Sequence, residues 1–448
     1  MYTIRTTDYD FNAALDIIEP MTAADLGREI TAPRWSDFDG PEYALRYARL
    51  AALMKAEGIL GTIFTQEENV RYFTGYLSVL WISRFRPVIT AFSADTAKDT
   101  SLLVTAQEFA NASGTAWVDA PRAFSPQVAP IPFAAQMIRD IIGDSGKIGI
   151  ELGFGQRLGM NIEQFTQLQD ELPGVEFVDI TPLAEAVRML KSEAEIDRIR
   201  FAAEISTAAV KTTWESLKLG MTERDVAVSL GTEMYGAGAE VSSTKQSVWG
   251  VMAGKRIRHA NAVADDTEPL VVGDRILIDG GATYKGYVTD FIRTASYGPV
   301  NEITAKWYDI SHAANSAALA AIRPGAIARD VYEAAIDVFR AHGLEAYNAT
   351  TIIGHGIGAD IHELPWLGAE GVYTSETRLR AGMVLSIEPV LGIRLGATAP
   401  TDEERLLPEG IMIVEEMVVV REGGVELLTG GVTPEIWVVP VEETEHAQ

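Results

Sequence analysis

Cysteine is absent from this chain, and that one gap removes disulfides, thiolate metal sites and cysteine nucleophiles from consideration. Long apolar runs are missing as well. No stretch of about 18 apolar residues occurs, so no membrane-spanning helix is expected. The opening MYTIRTTDYDFNAALDIIEP lacks the basic-then-apolar order of a secretory signal, and a cytoplasmic protein is the plainest expectation. Positive charge is the scarcer sign: 37 Lys and Arg against 63 Asp and Glu leave a formal charge of −26. Phosphate backbones are bound by basic surfaces, so this balance argues against a nucleic-acid partner and reads as a solvated acidic exterior.

What remains is an ordinary globular composition, 47% hydrophobic and 22% charged, in 448 residues. That length fits two or three domains. After a weakly patterned extension over residues 1–40, PEYALRYARLAALMKAEGI reads as an amphipathic helix. LGTIFT, RFRPVITAFSA, TSLLVT and GKIGIEL read as strands separated by helical stretches. Strands alternating with helices predict an α/β domain over residues 41–185 with a largely wound sheet. At KSEAEIDRIRFAAEISTAAV the character changes to a long helix, with Ser192 and Glu195 as its capping box. A second domain is therefore placed over residues 186–448.

This second part carries an internal repeat. ISTAAVKTTWESLKLGMTERDV, from Ile205, aligns without a gap on ISHAANSAALAAIRPGAIARDV, from Ile310. The matches include Gly220 with Gly325 and the closing Arg-Asp-Val. Each copy reads as helix, glycine break, helix, and duplication predicts a pseudo-twofold domain with a cleft between its halves.

The stretch RILIDGGATYKGYVTDFIRT, residues 275–294, sets Asp279 and Asp290 on either side of a turn. With Tyr284 and Lys285 central, the two aspartates would oppose each other with Cβ atoms about 4.5–5.5 Å apart. Two inward carboxylates that close are costly unless a cation or a shared proton neutralises them. Three later segments favour a cation. TIIGHGIGADIHELPWLG presents His355 and His362, MVLSIEPV ends a β-rich run on Glu388, and IMIVEEMVVV buries Glu415 or Glu416 in an apolar strand. Charged groups are seldom fully buried without a partner. Carboxylates with one imidazole and no thiolate favour Mn²⁺, Co²⁺, Fe²⁺ or Zn²⁺. So many carboxylates suit two ions about 3.5–4 Å apart. His312, His342 and His446 fall on helices or the tail and read as non-functional. The glycines of GFGQRLG have the wrong spacing for a phosphate loop.

LIDGGATYKGYVTDFIRT, GHGIGADIHELP, GMVLSIEP and IVEEMVVVREGGVELLT resemble, in order and spacing, the motifs of the pita-bread metallopeptidase superfamily. That superfamily includes methionine aminopeptidase, prolidase, aminopeptidase P and the metal-free creatinase. AVRMLKSEAEIDRIR and VRYFTGY resemble its prolidase-type members, so the likeness runs from about residue 40 to 430. It implies a creatinase-like α/β amino-terminal domain and a pita-bread catalytic domain. It also implies two divalent ions, manganese first, on Asp279, Asp290, His355, Glu388 and Glu415. In the roles it implies, Glu388 shuttles a proton, while His259 and His362 steady the substrate carbonyl and oxyanion. The implied reaction is C–N bond hydrolysis in a small peptide of Xaa-Pro type, in a homodimer.

One departure bears on substrate. Prolidases and aminopeptidase P usually carry an arginine two residues before the last glutamate, where this chain has Ile413. SRFRPVITAF resembles the creatinase strand whose arginine reaches the neighbouring subunit's site, which makes Arg86 a candidate for binding a substrate carboxylate. The alternative activity is a small-molecule one on a carboxylated osmolyte-type substrate: a creatinase-like or ectoine-hydrolase-like amidase, or a metal-dependent dimethylsulfoniopropionate lyase.

Overall fold

The computed structural model describes residues 8–83, 85–125, 130–241, 250–258, 262–392 and 410–441. The chain divides into two compact units between Leu190 and Lys191.

In the first unit, Asp10 caps α1 (Phe11–Ile18), and Asp39 caps α2 (Gly40–Ala56) by accepting from the Glu42 amide. Then follow β1 (Gly61–Phe64), α3 (Glu67–Thr74), β2 (Ile89–Ser93), β3 (Ser101–Thr105), α4 (Phe109–Thr115) and β4 (Ala120–Phe124). The unit closes with α5 (Ile131–Ile142), β5 (Gly146–Ile150), α6 (Ile162–Glu171), β6 (Val175–Asp179) and α7 (Thr181–Met189). The sheet order is β4-β3-β2-β1-β5-β6. It is mixed rather than simply wound, because β2 pairs antiparallel with both β1 and β3 while the other pairs are parallel. Both faces are covered, and β1, β2 and β3 are buried along their whole length, as sheets covered on both sides require.

The second unit opens on α8 (Glu193–Ser216), where Ser192 and Glu195 form a reciprocal capping box, and continues into α9 (Glu223–Gly236). β7 (Gly250–Ala253), β8 (Arg275–Gly280), β9 (Thr283–Tyr284), β10 (Tyr287–Val288) and β11 (Phe291–Tyr297) follow. The second helix pair is α10 (Glu302–Ala321) and α11 (Ala328–Ala341). After it come β12 (Ile352–Gly356), β13 (Glu363–Gly368), β14 (Val384–Ile387), β15 (Val390–Gly392), β16 (Ile411–Ile413), β17 (Glu416–Arg421), β18 (Gly424–Leu427) and β19 (Trp437–Val439). The repeat is thus two helix pairs, each leading into antiparallel strands. Its aligned glycines do the same work: Gly220 and Gly325 both sit at positive φ, +84° and +86°, which a side chain resists. The strands form one sheet ordered β19-β11-β8-β7 and another ordered β13-β12-β14-β17-β18. One core, with Val210, Trp214, Leu230, Ile276, Ile278 and Phe291, fills the space between the first helix pair and its sheet. The opposite face of that sheet carries Met252, Leu277 and Ile292, which pack on Val390, Ile411 and Ile413 of the β15–β16 ribbon.

Candidate metal centre

Asp279 and Asp290 do not oppose each other as the turn reading expects. The central turn residues are Lys285 and Gly286, both at positive φ (46° and 83°), one residue later than expected. Two positive φ values in a two-residue hairpin favour glycine second, which is where Gly286 stands. Moving a turn centre by one residue moves every cross-strand partner by two. Asp279 therefore pairs with Ile292, and Asp290 lies just before β11, beyond the Phe291–Gly280 pair. A shift of two preserves the face, so both carboxylates still point the same way. Ser206 on α8 holds this corner: its hydroxyl meets Thr289 Oγ1 at 2.9 Å and accepts from the Ala282 amide at 2.8 Å.

The other sheet brings its groups from strand ends. His355 lies in β12, Glu388 directly follows β14, and Glu415 directly precedes β17. The local pattern left Glu415 and Glu416 open while the resemblance favoured Glu415, and the packing separates the two. Glu416 accepts 2.8 Å bonds on both oxygens from Arg293, which is 1% exposed, and also bonds Thr429. Glu415 points the other way and accepts from Ser386 Oγ at 2.5 Å, while Arg293 Nη1 donates to its backbone carbonyl at 2.7 Å.

Three sets of side chains each place one ligand atom per residue within 4.8 Å of the others: Asp290, His355 and His362; His355, Glu388 and Glu415; Asp279, Asp290 and Glu415. The sets interlock through Asp290, His355 and Glu415. His355 Nδ1 bonds the Gly356 carbonyl at 2.9 Å, and a carbonyl only accepts, so that nitrogen carries the proton. Nε2 then presents a bare lone pair, 3.5 Å from Glu388 Oε1 and 3.8 Å from Asp290 Oδ2. Burial pulls His355 down to about 3, so it stays neutral. Lone pair facing carboxylate is an arrangement of acceptors without a donor. Asp290 Oδ1 and His355 Nε2 are both buried without a hydrogen-bond partner among the described residues.

The carboxylates show the same conflict. Burial pushes Asp279 up to about 6, and burial, then the neighbouring Glu415 and Asp279 charges, push Asp290 well above its usual range. Glu388 and Glu415 are raised likewise, first by burial and then by the other acids. A cation placed among these oxygens and the one imidazole resolves each of these costs. The donor set is oxygen-rich with one nitrogen, and it fits hard or borderline divalent ions.

The exposed His362 stacks edge-on against His355, ring centroids 4.6 Å apart, and Trp366 flanks both histidines. Beside it a buried ion pair, Lys191 Nζ to Glu363 Oε2 at 2.8 Å, fills the turn; a Cβ on Gly358 would lie 2.8 Å from Lys191. His259 lies outside the described residues, as does His446. His312 on α10 and His342 at the C-cap of α11 join none of these sets. Arg86 is not on a strand: it sits in a turn, its amide bonded to the Ser83 carbonyl, three residues before β2. Ile413 is 2% exposed within the apolar ribbon cluster.

Residues 197–422 match the profile of metallopeptidase family M24, and residues 46–190 match the creatinase/prolidase N-terminal domain. The chain belongs to metallopeptidase family M24. It is a metallohydrolase of peptide C–N bonds, with a creatinase-type amino-terminal domain and a pita-bread catalytic domain, in a family that works with divalent metal ions. Among curated relatives, an Xaa-Pro dipeptidase of Pyrococcus furiosus is 29% identical over 293 residues, 65% of this chain and 76% of that one. An Xaa-Pro dipeptidase of Pyrococcus horikoshii is 33% identical over 214 residues, 48% of this chain and 58% of that one. Among solved structures, the dipeptidase PepE of Mycobacterium ulcerans superposes with a TM-score of 0.73 at 26% identity, covering 89% of this chain and 98% of that one. The X-Pro aminopeptidase of Thermotoga maritima gives 0.70 at 25%, covering 88% and 99%.

Sequence reasoning missed Ser206, Ser311 and Asn315, whose side chains bond backbone groups beside the candidate acids, and Ser386, which donates to the Glu415 carboxylate. The repeat carried a usable signal: its aligned Ile-Ser places Ser206 and Ser311 at equivalent positions on α8 and α10.

Proposed function

We propose that this M24 enzyme is an Xaa-Pro-type peptidase, a dipeptidase or an aminopeptidase P-like enzyme, with two divalent ions held by Asp279, Asp290, His355, Glu388 and Glu415. The observation that carries this is the interlocking of the three ligand sets through Asp290, His355 and Glu415. Manganese is the first choice of ion, with cobalt, iron and zinc of the same borderline class. When bound, such ions lower the pKa of a coordinated water and polarise the scissile carbonyl.

The chain's own groups supply the rest. The Glu388 side chain is 24% exposed, more open than that of Asp290 or Glu415, and its raised affinity for a proton suits it to deliver one to the leaving nitrogen. His362, drawn down by partial burial, is neutral near pH 7 and donates one N–H toward the carbonyl oxygen where charge develops. His259 is assigned the same task. Arg86 is assigned to a substrate carboxylate in a partner copy's site. The neighbouring Val79, Ile82 and Phe85, 70%, 68% and 83% exposed, supply an apolar face for a second copy to cover in a homodimer. A cytoplasmic setting goes with the cysteine-free composition.

The burial of Ile413 favours a second reading. No cation stands at that position to hold a peptide carboxylate, so a carboxylated small molecule of the creatinase, ectoine-hydrolase or dimethylsulfoniopropionate kind is the alternative substrate. One panel separates the two. Xaa-Pro dipeptides, longer Xaa-Pro peptides and N-substituted amino acids are incubated with the Mn²⁺-loaded enzyme. Release of the Xaa residue from Xaa-Pro peptides is expected; turnover confined to the N-substituted amino acids would overturn the peptidase reading.

A further inference from the structure

Asn315 lies on α10, the helix packed behind the strands that deliver Glu388 and Glu415, and is 1% exposed. Its side-chain nitrogen donates to two backbone carbonyls: Ile387 at 2.7 Å and Val414 at 3.1 Å. These are the residues immediately before Glu388 and Glu415. A carbonyl oxygen lies in the same rigid peptide plane as the amide nitrogen that follows it. Fixing those two oxygens therefore fixes the planes from which both acid side chains spring.

The opposite edge of the first plane is also held, because the Glu388 amide donates to the Ile353 carbonyl at 2.6 Å. On the other side the peptide that follows Glu415 is held, its carbonyl accepting from Arg293 at 2.7 Å. Ser311, one helical turn earlier, meets the Pro389 and Met412 carbonyls at 3.2 and 3.1 Å and so brackets the same two segments. The amide orientation follows from its partners. Two carbonyls accept only, so the NH₂ group faces both, one hydrogen to each. Among neutral side chains only an amide offers two N–H groups on one atom; serine or threonine holds one carbonyl at a time. The aligned position in the first helix pair is Val210, so the device belongs to one half of the repeat.

We infer that Asn315 is a positioning residue for the metal centre: its NH₂ group ties the strand end carrying Glu388 to the one carrying Glu415 and so sets the separation of these two acids. The inference rests on the proposed two-ion reading. Groups that orient metal ligands typically change metal affinity by about 10–100-fold when lost.

The test titrates the metal-free full-length chain with Mn²⁺ alone, following free Mn²⁺ by electron paramagnetic resonance at a temperature where every variant is folded. Asn315→Leu keeps the number and branching of the side-chain heavy atoms and removes both donors; its affinity for one of the two ions should fall at least about tenfold. Glu388→Gln should weaken the same ion, and Asn315→Leu added to Glu388→Gln should cost less than it does alone, because part of the Asn315 effect runs through Glu388. Asn315→Ser, which keeps one donor, should fall between the wild type and Asn315→Leu, and it stands in where Asn315→Leu does not fold. Unchanged Mn²⁺ affinity in the Asn315 variants, or a loss that adds in full to that of Glu388→Gln, would overturn the inference and leave Asn315 a packing residue. No Mn²⁺ binding by the unaltered chain would sink the two-ion reading and this inference with it.

Discussion

At the scale of single residues, the centre is built from groups that do not tolerate one another. Asp290 Oδ1 has no hydrogen-bond donor among the described residues, and its carboxylate faces the lone pair of His355 and shares its surroundings with Asp279 and Glu415. Replacing it by Asn removes a buried carboxylate that otherwise needs a cation or a bound proton to neutralise it. Asp290→Asn should lose about 10³-fold or more in kcat/KM. With metal chelated at pH 8, however, it should be more stable than the wild type, since an uncompensated buried carboxylate is costly. Thermal melting in chelator checks this, and a large drop in Tm would contradict it. Arg293 behaves oppositely because it has a full set of partners. Arg293→Met strands Glu416 in the core and should cost about 3–5 kcal/mol, while removing both partners as Arg293→Met/Glu416→Leu should recover most of it. Urea unfolding of the three proteins measures both effects.

At the scale of elements, close backbone approach explains why His355 stands between two glycines. A Cβ on Gly354 would lie 2.2 Å from the Ser386 carbonyl oxygen, and one on Gly356 would lie 2.1 Å from that of Leu364. β12 is thus squeezed between β14 and β13, where only hydrogen fits. Gly356→Ala should push the strands apart, displace the His355 ring and reduce Mn²⁺ affinity along with activity, which a Mn²⁺ titration detects. Much of this element-level order was legible in advance. The capping box at Ser192, the duplicated helix pair and the strands around the acids all follow from local patterns. The hairpin register was not, because the turn centre depends on which residues adopt positive φ. Lys285 gave no sign of doing so, and one residue there moves partners by two. Glu415 against Glu416 was equally closed to local patterns: the choice is made by Arg293, more than 120 positions away in the chain. The role of Asn315 is hidden for the same reason, as its two acceptors lie 72 and 99 positions distant.

At the scale of the whole molecule, the acids link stability to pH. Asp279, Asp290, Glu388 and Glu415 all hold protons more tightly folded than their usual values of 3.8 and 4.5 allow. The folded chain then binds more protons than the unfolded one, so the slope of unfolding free energy with pH is negative. The stability these protons contribute is complete below about pH 4 and declines as pH rises, through about 6 for Asp279 and through the raised values of the other three. In chelator, Tm should fall between pH 5 and 8 on this account, and saturating Mn²⁺ should flatten the decline, because the ion replaces the protons. The amino-terminal unit contains a further buried acid, Glu151, raised to about 7 by burial against bonds from Thr65 and Asn69, and its contribution falls with pH in the same direction. Substrate identity is the least legible property at this scale, since the proposed readings of it rest on Ile413 and on His259, which lies outside the described residues. Five interlocked ligands suit two ions per chain, and metal content measures that number. The chain reconstituted with Mn²⁺, freed of excess by gel filtration and analysed by plasma mass spectrometry should hold about two ions per polypeptide, and Asp290→Asn should hold fewer than one. A peptide-hydrolysing preparation with no bound metal, or an Asp290→Asn variant with the wild-type content, would contradict the account.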